Sequence, residues 1–335
     1  MSVTQQDIAN KVGVSRRAIG YALNGDNRVG KEMRERILAV AEELGYQTHL
    51  SAKALVTGRT YQVALCVPSL DNPYHAEFIR HFEAHTRHTP YQLLITTQGE
   101  GNGSLAQLNV DGLLMHGFTP SAVPSRPTVL LQSPPEGAIP KKKGAYDQVS
   151  IDMTQAAQDV MEHLLAAKPK RVVLITVGFF DPVSEPRSKA YHQGMERAGL
   201  EPEVIMLEER QSSPQLRANT HQLVREYCQK HGPPDAFWGI NDAVAIGIYR
   251  AMRELKLDIP RDVAVIGCDD IPETRDLWPP LTTIRHDWEK ICQQAWEMLM
   301  LRIEAPESSP RKVSCSSKFI VRGSTESELK GVHKG

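Results

Sequence analysis

Two adjacent arginines, Arg16 and Arg17, stand at the start of a short apolar pattern of helical period, and Tyr21 follows one turn after Arg17. The forked guanidinium groups of arginine can pair with a guanine edge or clamp a phosphate. A tyrosine offers its ring to a thymine methyl group and its hydroxyl to a base edge or a phosphate. The pattern predicts a surface that contacts DNA. The alternatives are a charged edge of a small helical bundle and, for Tyr21, a packing role on a neighbouring helix.

Three short helices would position this surface, and each has recognisable start or stop signals. Thr4 and Ser15 are suitable N-cap residues, because their hydroxyls can accept from the free amides of a first helical turn. Gly13 ends the first helix only a few residues before the second begins, and Asn24 with Gly25 ends the second. Two helices joined so closely are typical of a helix-turn-helix, whose second helix enters the major groove.

The charge is distributed unevenly along a chain of 335 residues whose net charge is only −1. Residues 1–60 contain nine Lys and Arg against six Asp and Glu, which leaves a mildly acidic remainder. This balance is consistent with a DNA-binding head on an acidic body, and a single basic surface patch would produce it as well. Apolar residues make up 41% of the chain, an ordinary share for a globular protein of two or three compact units.

The composition indicates a protein of a reducing compartment without a membrane partner. The five cysteines are scattered and show no C-x-x-C spacing, so they predict no disulfide framework. The chain starts without the apolar stretch of a secretory signal, and no apolar run approaches the ~18 residues of a membrane span. We therefore expect a cytoplasmic protein. His81, His85 and His88 share one helical face, but no further ligand stands at a zinc-site spacing, so we predict neither a metal site nor a cofactor.

Beyond residue 60, short apolar strands alternate with amphipathic helices. Repeated units of this kind are typical of parallel sheets with helices on both faces, and they are numerous enough for two sheets. We therefore predict an all-α helix-turn-helix head followed by an α/β core of two doubly wound parallel-sheet subdomains. Such sheets bind ligands at the carboxyl ends of their strands, so polar residues at strand ends are the candidates for a ligand site. No P-loop, G-x-S-x-G or G-x-G-x-x-G motif indicates an enzyme, and we predict no catalytic residue.

The head resembles the DNA-binding headpiece of the lactose-repressor (LacI/GalR) family over more than forty residues, in the stretch "VTQQDIANKVGVSRRAIGYALNG…VGKEMRERILAVAEELGY". The shared features are D-[IV]-A-x-x-x-G-V-S, an L-N pair and a third helix that ends in E-L-G-Y. Gly20 and Tyr21 depart from the family, which usually has Ser-Arg or Ser-His at these positions. The resemblance implies DNA contacts at the following residues: Thr4, Ser15, Arg16, Arg17, Tyr21, Asn24, Arg28, Ala52 and Leu55.

Residues 47–59 resemble the hinge of the same family, which forms a short helix when two chains meet over an operator. Ala52 and Leu55 match the positions from which the family inserts a leucine of each chain into the minor groove. Apolar wedges of this kind unstack a base step and bend the DNA. Thr48 and His49 replace the usual Pro-Asn before this helix, and a flexible linker is the alternative for the segment.

The body resembles the periplasmic-binding-protein-like core of the family, whose two subdomains enclose a small ligand. The matching motifs are "NPYHAEF", "RSKAYHQGM" for R-x-x-G-[FYW], "ND", "VIGCDD" for V-V-G-[FY]-D-D, and "PPLTTI". Asn241 could also serve only as a helix cap. The resemblance places these residues in the effector cleft: Asn72, Tyr74, Gln132, Arg187, Arg210, Asn241, Asp269, His286 and Trp288.

The nature of the effector stays open between two chemical classes. Arg187, Arg210 and His286 together favour a phosphorylated or carboxylated molecule, because guanidinium groups form strong charge-assisted hydrogen bonds with such anions. A neutral sugar is the alternative, and Trp288 could stack on its face or pack the hinge between the subdomains. We therefore expect a sugar, a sugar phosphate or another small metabolite.

The resulting hypothesis is a ligand-responsive repressor that binds a near-palindromic operator on double-stranded DNA as a homodimer, because a two-fold dimer imposes that symmetry. The alternative is a cytoplasmic small-molecule-binding protein of the periplasmic-binding type with no regulatory role on DNA. The predicted boundaries are a head over 1–46, a hinge over 47–59, one core subdomain over 60–150 and 285–311, the other over 151–284 and 312–325, and a tail over 326–335.

Overall fold

A computed structural model describes residues 3–23, 26–46, 54, 57–97, 108–117, 126–131, 146–178, 185–208 and 212–326 of the chain. The contacts between residues divide the chain into two compact units, with the division between Tyr61 and Gln62. Each unit is described by itself below. Within the described ranges, no helix has the length and apolar character needed to cross a membrane.

Three helices form the first unit, in agreement with the predicted head: α1 (Gln5–Val12), α2 (Arg16–Leu23) and α3 (Lys31–Glu43). A capping box starts α1, in which the backbone amide of Thr4 donates to the carboxylate of Asp7 at 2.8 Å. Gly13 ends α1 with a φ of 81°, a left-handed conformation that favours a residue without a side chain. The core of the unit consists of Ile8, Ala9, Val12, Ile19, Ala22, Val29, Ile37 and Ala41.

Strands and helices alternate along the second unit. Its strands are β1 (Gln62–Val67), β2 (Gln92–Thr97), β3 (Gly112–His116), β4 (Thr128–Leu131), β5 (Asp147–Asp152), β6 (Val172–Val177), β7 (Glu203–Leu207), β8 (Ala236–Gly239), β9 (Ala264–Ile266), β10 (Thr283–Arg285), β11 (Lys312–Ser316) and β12 (Lys318–Ile320). Its helices are α4 (Pro73–Thr86), α5 (Thr154–Ala166), α6 (Pro186–Ala198), α7 (Ser213–His231), α8 (Asp242–Leu255) and α9 (Trp288–Glu304), and a 3-10 helix spans Pro272–Arg275.

Two parallel sheets organise this unit and confirm the predicted α/β core. One sheet has six strands in the order β11-β5-β4-β3-β1-β2, and the other has four in the order β7-β6-β8-β9. The short strands β10 and β12 pair with each other in antiparallel orientation. Helices α4 and α9 bury Phe78, Phe82 and Trp296 against the six-stranded sheet, and α7 and α8 pack on the four-stranded sheet.

The predicted boundary at residue 311 is wrong for the segment that follows it. Strand β11 does not belong with the second subdomain, because it pairs in parallel with β5 of the six-stranded sheet, with Cys315 opposite Ile151. The backbone amide of Arg311 donates to Asp147 at 2.7 Å and attaches the start of β11 to this sheet. A short alternating pattern predicts a strand but not the sheet that it joins, because its partner lies more than 150 residues away.

Candidate functional site

Tyr21 holds two arginine side chains on the surface of the first unit. Its hydroxyl accepts a hydrogen bond from Nε of Arg17 at 2.8 Å and another from Nη1 of Arg28 at 2.7 Å. The guanidinium carbon of Arg28 lies 3.7 Å from the centroid of the Tyr21 ring, a cation–π distance. The ring itself is half-buried against the apolar core of the head. Tyr21 therefore packs on the core of the head and also accepts hydrogen bonds from two cations.

The turn between α2 and α3 fixes Arg28 beside Tyr21. The backbone amide and Nε of Arg28 each lie 3.0 Å from Oδ1 of Asp26. These hydrogen bonds from Arg28 hold the pKa of the Asp26 carboxyl at about 2, well below its ordinary value. Arg34 of α3 donates to the backbone carbonyl of Asp26 at 2.8 Å and so ties the turn to the third helix. The side chain of Arg28 is thus held from two sides.

The other predicted DNA contacts are cap residues or exposed cations. Thr4 caps α1, and the hydroxyl of Ser15 accepts from the amide of Ala18 at 3.2 Å at the start of α2. Arg16 and Arg17 are both exposed. Three predicted positions lie outside the described residues: Asn24, Ala52 and Leu55.

Aromatic and imidazole rings from distant parts of the second unit meet in one cluster. Tyr74 at the start of α4 contacts Trp288 of α9, with ring centroids 4.9 Å apart. His286, two residues before Trp288, lies 5.2 Å from it and 6.0 Å from Tyr74. His116, the last residue of β3, lies 5.4 Å from Tyr74. All four side chains are buried, so three predicted effector residues come together with one that was not predicted.

Contacts at both ring nitrogens orient the imidazole of His286. Nδ1 lies 2.8 Å from the hydroxyl of Ser317, and Nε2 lies 3.4 Å from Oδ1 of Asp269. Cys268 is adjacent, and its sulfur, a carboxylate oxygen of Asp269 and a ring nitrogen of His286 all lie within 4.8 Å of one another. These three atoms are of the types that bind transition metals, and they form a candidate metal site that the sequence did not predict.

The hydroxyl of Tyr74 is buried and has no hydrogen-bond partner among the described residues. Burial raises the pKa of this hydroxyl well above its ordinary value, and the negative charge of Asp269 raises it further. A buried, unpaired hydroxyl is costly unless another group satisfies it. Its position is therefore an indication that the cleft accepts a ligand.

Arg187 reaches the same region from the start of α6, where it is 4% exposed. Its Nε donates to Oε1 of Glu185 at 2.6 Å, and its Nη1 donates to the carbonyl of Ile240. Burial alone would lower the pKa of Arg187, but the charge of Glu185, the hydrogen bond to it and the charge of Asp269 act together to raise this pKa. The predicted effector-binding cation thus has its charge balanced by a neighbouring carboxylate.

Asn72 and Asn241 act as helix caps in this structure. Asn72 accepts from the amide of Tyr74 at 3.1 Å and starts α4, and Asn241 accepts from the amide of Val244 at 3.0 Å and starts α8. Asn241 therefore does cap a helix, which was the alternative role considered for it. Two predicted effector residues lie outside the described residues: Gln132 and Arg210.

Two buried carboxylates hold the segment that follows β9. Asp242 accepts from the hydroxyl of Thr283 at 2.8 Å and from the amide of Ile271 at 2.9 Å. Asp270 accepts from three guanidinium groups, those of Arg275, Arg285 and Arg322. This segment also pairs with β10 through a bridge between Asp269 and Arg285. The backbone that carries Cys268 and Asp269 is therefore fixed.

A groove of about 340 Å³ opens beside this cluster and is lined by Asp269, His286 and Trp288 together with charged residues of both signs.

Two residues of the cluster, His116 and Cys268, were not predicted as site residues from the sequence. Each stands at or just after the carboxyl end of a buried strand, so the strand-end rule could have found both. Burial lowers the pKa of His116 to about 3 and keeps its imidazole neutral.

Two protein families match the chain. The family described as bacterial regulatory proteins, lacI family, matches residues 4–49, and the family described as periplasmic binding protein-like domain matches residues 161–325. The chain is 26% identical to the ribose operon repressor of Escherichia coli (strain K12), over 96% of this chain and 99% of that protein. It is also 26% identical to the HTH-type transcriptional repressor PurR of Haemophilus influenzae (strain PittEE), over 97% of this chain and 99% of that protein.

The fold is similar to that of solved regulators. The lac repressor dimer bound to operator and the anti-inducer ONPF superimposes with a TM-score of 0.77, over 97% of this chain and 99% of that chain. Its sequence is 19% identical to this one, so the similarity concerns the fold.

Proposed function

Because the chain belongs to the LacI family of bacterial regulatory proteins, we propose that it represses transcription as a homodimer bound to a near-palindromic operator. A small metabolite in the cleft of the body regulates this binding. The protein acts by binding and not by catalysis, and it acts in the cytoplasm, where a bacterial operator lies. A binding protein with no role on DNA is not favoured, since the head matches a DNA-binding family.

The observation that carries the DNA-binding role is the pair of arginines held by Tyr21. Arg17 and Arg28 come from α2 and from the turn after it, and one hydroxyl orients both guanidinium groups on an exposed surface. Ordered guanidinium groups bind phosphates or guanine edges with less loss of side-chain entropy than free ones. Arg16 adds a further exposed cation at the start of the same helix.

The ligand cleft consists of the cluster around Tyr74, Asp269, His286 and Trp288. The charge of Arg187 is balanced by Glu185, which favours a neutral polar ligand such as a sugar over an anion. Residues of α4, which packs on the six-stranded sheet, and of the segment after β9, which leaves the four-stranded sheet, both line it. A ligand that contacts both would change how the two sheets approach each other, and this change alters operator affinity.

Operator binding as a function of salt concentration tests the DNA-binding role. We expect the affinity of the full-length dimer to fall steeply with salt, as it does for proteins that neutralise phosphates. Arg17→Ala should weaken binding without a change in melting temperature, and a phosphate contact would reduce the salt slope by about one unit. Lys230→Ala, which removes an exposed cation from the body, is the matched control. Unchanged operator affinity in Arg17→Ala would contradict the role of α2.

A thermal-shift screen tests the cleft. Sugars, sugar phosphates, nucleosides and organic acids are added to the full-length protein, and a binder raises the melting temperature by mass action. Replacement of Trp288 by alanine should abolish the shift caused by a sugar, whereas replacement of the exposed Trp278 should leave the shift unchanged. If no compound of these classes stabilises the protein, the metabolite part of the proposal is wrong.

A further inference from the structure

We propose that the cleft binds a divalent transition-metal ion, with Cys268, Asp269 and His286 as protein ligands and Tyr74 as the neighbour that completes the site. This inference deepens the proposed function, since it names a ligand of the same cleft. The ion type is defined by the ligand atoms: a thiolate, an imidazole and a carboxylate together suit Zn²⁺ and its neighbours better than Mg²⁺ or Ca²⁺.

The three ligand atoms already lie close to the spacing of a metal site. Nε2 of His286 and Oδ1 of Asp269 are 3.4 Å apart, and the sulfur of Cys268 lies within 4.8 Å of both residues' ligand atoms. Zinc–sulfur and zinc–nitrogen bonds of about 2.3 and 2.0 Å separate tetrahedral ligands by roughly 3.5 Å. The imidazole and the carboxylate satisfy this spacing, and a shift of about 1 Å brings the sulfur to it.

A second group orients the imidazole as metal sites require. Metal-binding histidines usually donate their other ring N–H to a neighbouring acceptor, which fixes both the tautomer and the ring direction. The hydroxyl of Ser317 lies 2.8 Å from Nδ1 of His286 and is itself buried. When Nδ1 donates to Ser317, Nε2 is the ring nitrogen left to bind an ion, and it faces Asp269. The backbone amide of Asp269 donates to the carbonyl of Ile284 at 2.8 Å, so the two ligand-bearing segments are held together.

Tyr74 provides an independent indication of a ligand at this position. Its hydroxyl is buried without a partner among the residues that the structure describes, and it interacts electrostatically with both Asp269 and Cys268. Its ring packs edge-on against His286, 6.0 Å away. The hydroxyl can bind the ion directly or hydrogen-bond to a water or sugar oxygen that occupies the fourth position. Because Tyr74 is on α4, the ion links the two sheets of the body.

The charges of the cluster match a divalent cation. Cys268 loses its proton to solvent as the metal–sulfur bond forms, and the resulting thiolate and the Asp269 carboxylate supply two negative charges. Without the ion, the thiol of Cys268 is directed at the sulfur of Met153, 3.9 Å away. Arg187 interacts with the same two groups, but Glu185 at 2.6 Å balances its charge.

Titration of the metal-free, full-length protein with Co²⁺ tests the site. We expect one ion per chain, a thiolate-to-cobalt charge-transfer band in the near ultraviolet, and loss of this band when Zn²⁺ is added. Cys268→Ser should abolish the band, and His286→Gln should abolish tight binding. Ser317→Ala should keep the band but weaken affinity by about 10- to 100-fold, because it removes only the orienting hydrogen bond. Cys315→Ser, at a buried cysteine of β11, is the matched control and should titrate like the wild type.

If Cys268→Ser does not fold, a measurement on the wild-type protein tests the same ligand. Bound Zn²⁺ should slow alkylation of Cys268, followed by peptide mass spectrometry, and leave alkylation of Cys66 and Cys228 unchanged. Absence of a one-per-chain cobalt complex, a band that survives in folded Cys268→Ser, or equal alkylation with and without Zn²⁺ overturns the proposal. Operator binding is measured in parallel with and without the ion. Absence of operator binding in both states contradicts the proposed function and leaves the metal site standing.

Discussion

The guanidinium of Arg28 stacks on the ring of Tyr21, with 3.7 Å between its central carbon and the ring centroid, and also donates to the Tyr21 hydroxyl. The same hydroxyl accepts from Arg17, so one residue of α2 determines the direction of two cations. In this chain the basic groups come from its neighbours, and Tyr21 orients them.

Tyr21→Phe isolates the effect of the hydroxyl because the ring and its packing remain. We expect operator affinity to fall by about three- to tenfold, since hydrogen bonds to charged groups contribute about 1.5–3 kcal/mol and the DNA phosphates replace part of this. Fluorescence anisotropy with labelled operator at fixed salt measures the change. Tyr46→Phe, in the same head core, is the control. Wild-type affinity in Tyr21→Phe would leave Tyr21 with a packing role alone.

Gly20→Ala should stabilise the head. Gly20 lies inside α2, and a Cβ added there meets no atom within 4 Å. Alanine favours a helix over glycine by about 1 kcal/mol, so the amides of α2 should exchange with deuterium more slowly by roughly fivefold. Hydrogen exchange of the full-length protein measures this. Gly13→Ala should have the opposite effect, because its φ of 81° strains any residue with a side chain. Faster exchange in Gly20→Ala would mean that α2 needs the flexibility of glycine.

Asp147→Asn should destabilise the body by about 3 kcal/mol or more, because it leaves a buried guanidinium without its counter-charge. Asp147 accepts from Arg302 at 2.8 Å, and both side chains are buried. Burial would raise the pKa of Asp147, but hydrogen bonds from Arg302 and Arg311 outweigh it and lower this pKa. The carboxylate therefore stabilises the fold above its ordinary pKa, and this contribution is lost as the pH falls through the lowered value.

Urea unfolding at neutral pH measures this loss. Asp258→Asn, which breaks an exposed ion pair with Arg261, is the control and should unfold close to the wild-type midpoint. If Asp147→Asn unfolds at the same urea concentration as Asp258→Asn, the buried pair contributes nothing to the stability of the fold.

His116 should make the body less stable in mild acid. Burial lowers its pKa from 6.5 to about 3, so the folded protein holds the imidazole neutral and the unfolded chain binds the proton more readily. Stability is complete above about pH 6.5 and falls below it, by about 2 kcal/mol at pH 5 from this group. His75, whose pKa burial also lowers, adds to the same trend.

Unfolding midpoints between pH 7.5 and 5 measure the dependence. His116→Phe keeps an aromatic ring against Phe78 and should reduce the loss of stability on acidification. His88→Phe, at an exposed position of the loop after α4, should leave the loss unchanged. If His116→Phe loses as much stability on acidification as the wild type, His116 does not contribute to that loss.

The sequence by itself determined the local elements of this protein. Thr4, Ser15 and Gly13 could be interpreted as caps and a stop because a cap acts within one helical turn of its own residue. The alternation of apolar strands with amphipathic helices predicted the parallel sheets, since that pattern also depends on neighbours along the chain. Asn72, Asp269, His286 and Trp288 were predicted as cleft residues from the family resemblance, and their role in ligand binding stays a prediction.

Only the tertiary structure decided which distant residues meet. Tyr74 and His286 are more than 200 positions apart in the chain, and Cys268 joins them only because β9 ends beside β10. The assignment of β11 to the six-stranded sheet and the balance of Arg187 by Glu185 were decided in the same way. Sequence patterns record the periodicity and the ends of elements, whereas contacts between elements depend on how their faces pack. The two arginines that contact Tyr21 illustrate the difference. Arg17 lies one helical turn away, so helix periodicity predicts its contact, whereas Arg28 lies beside Tyr21 because Asp26 holds the turn between them.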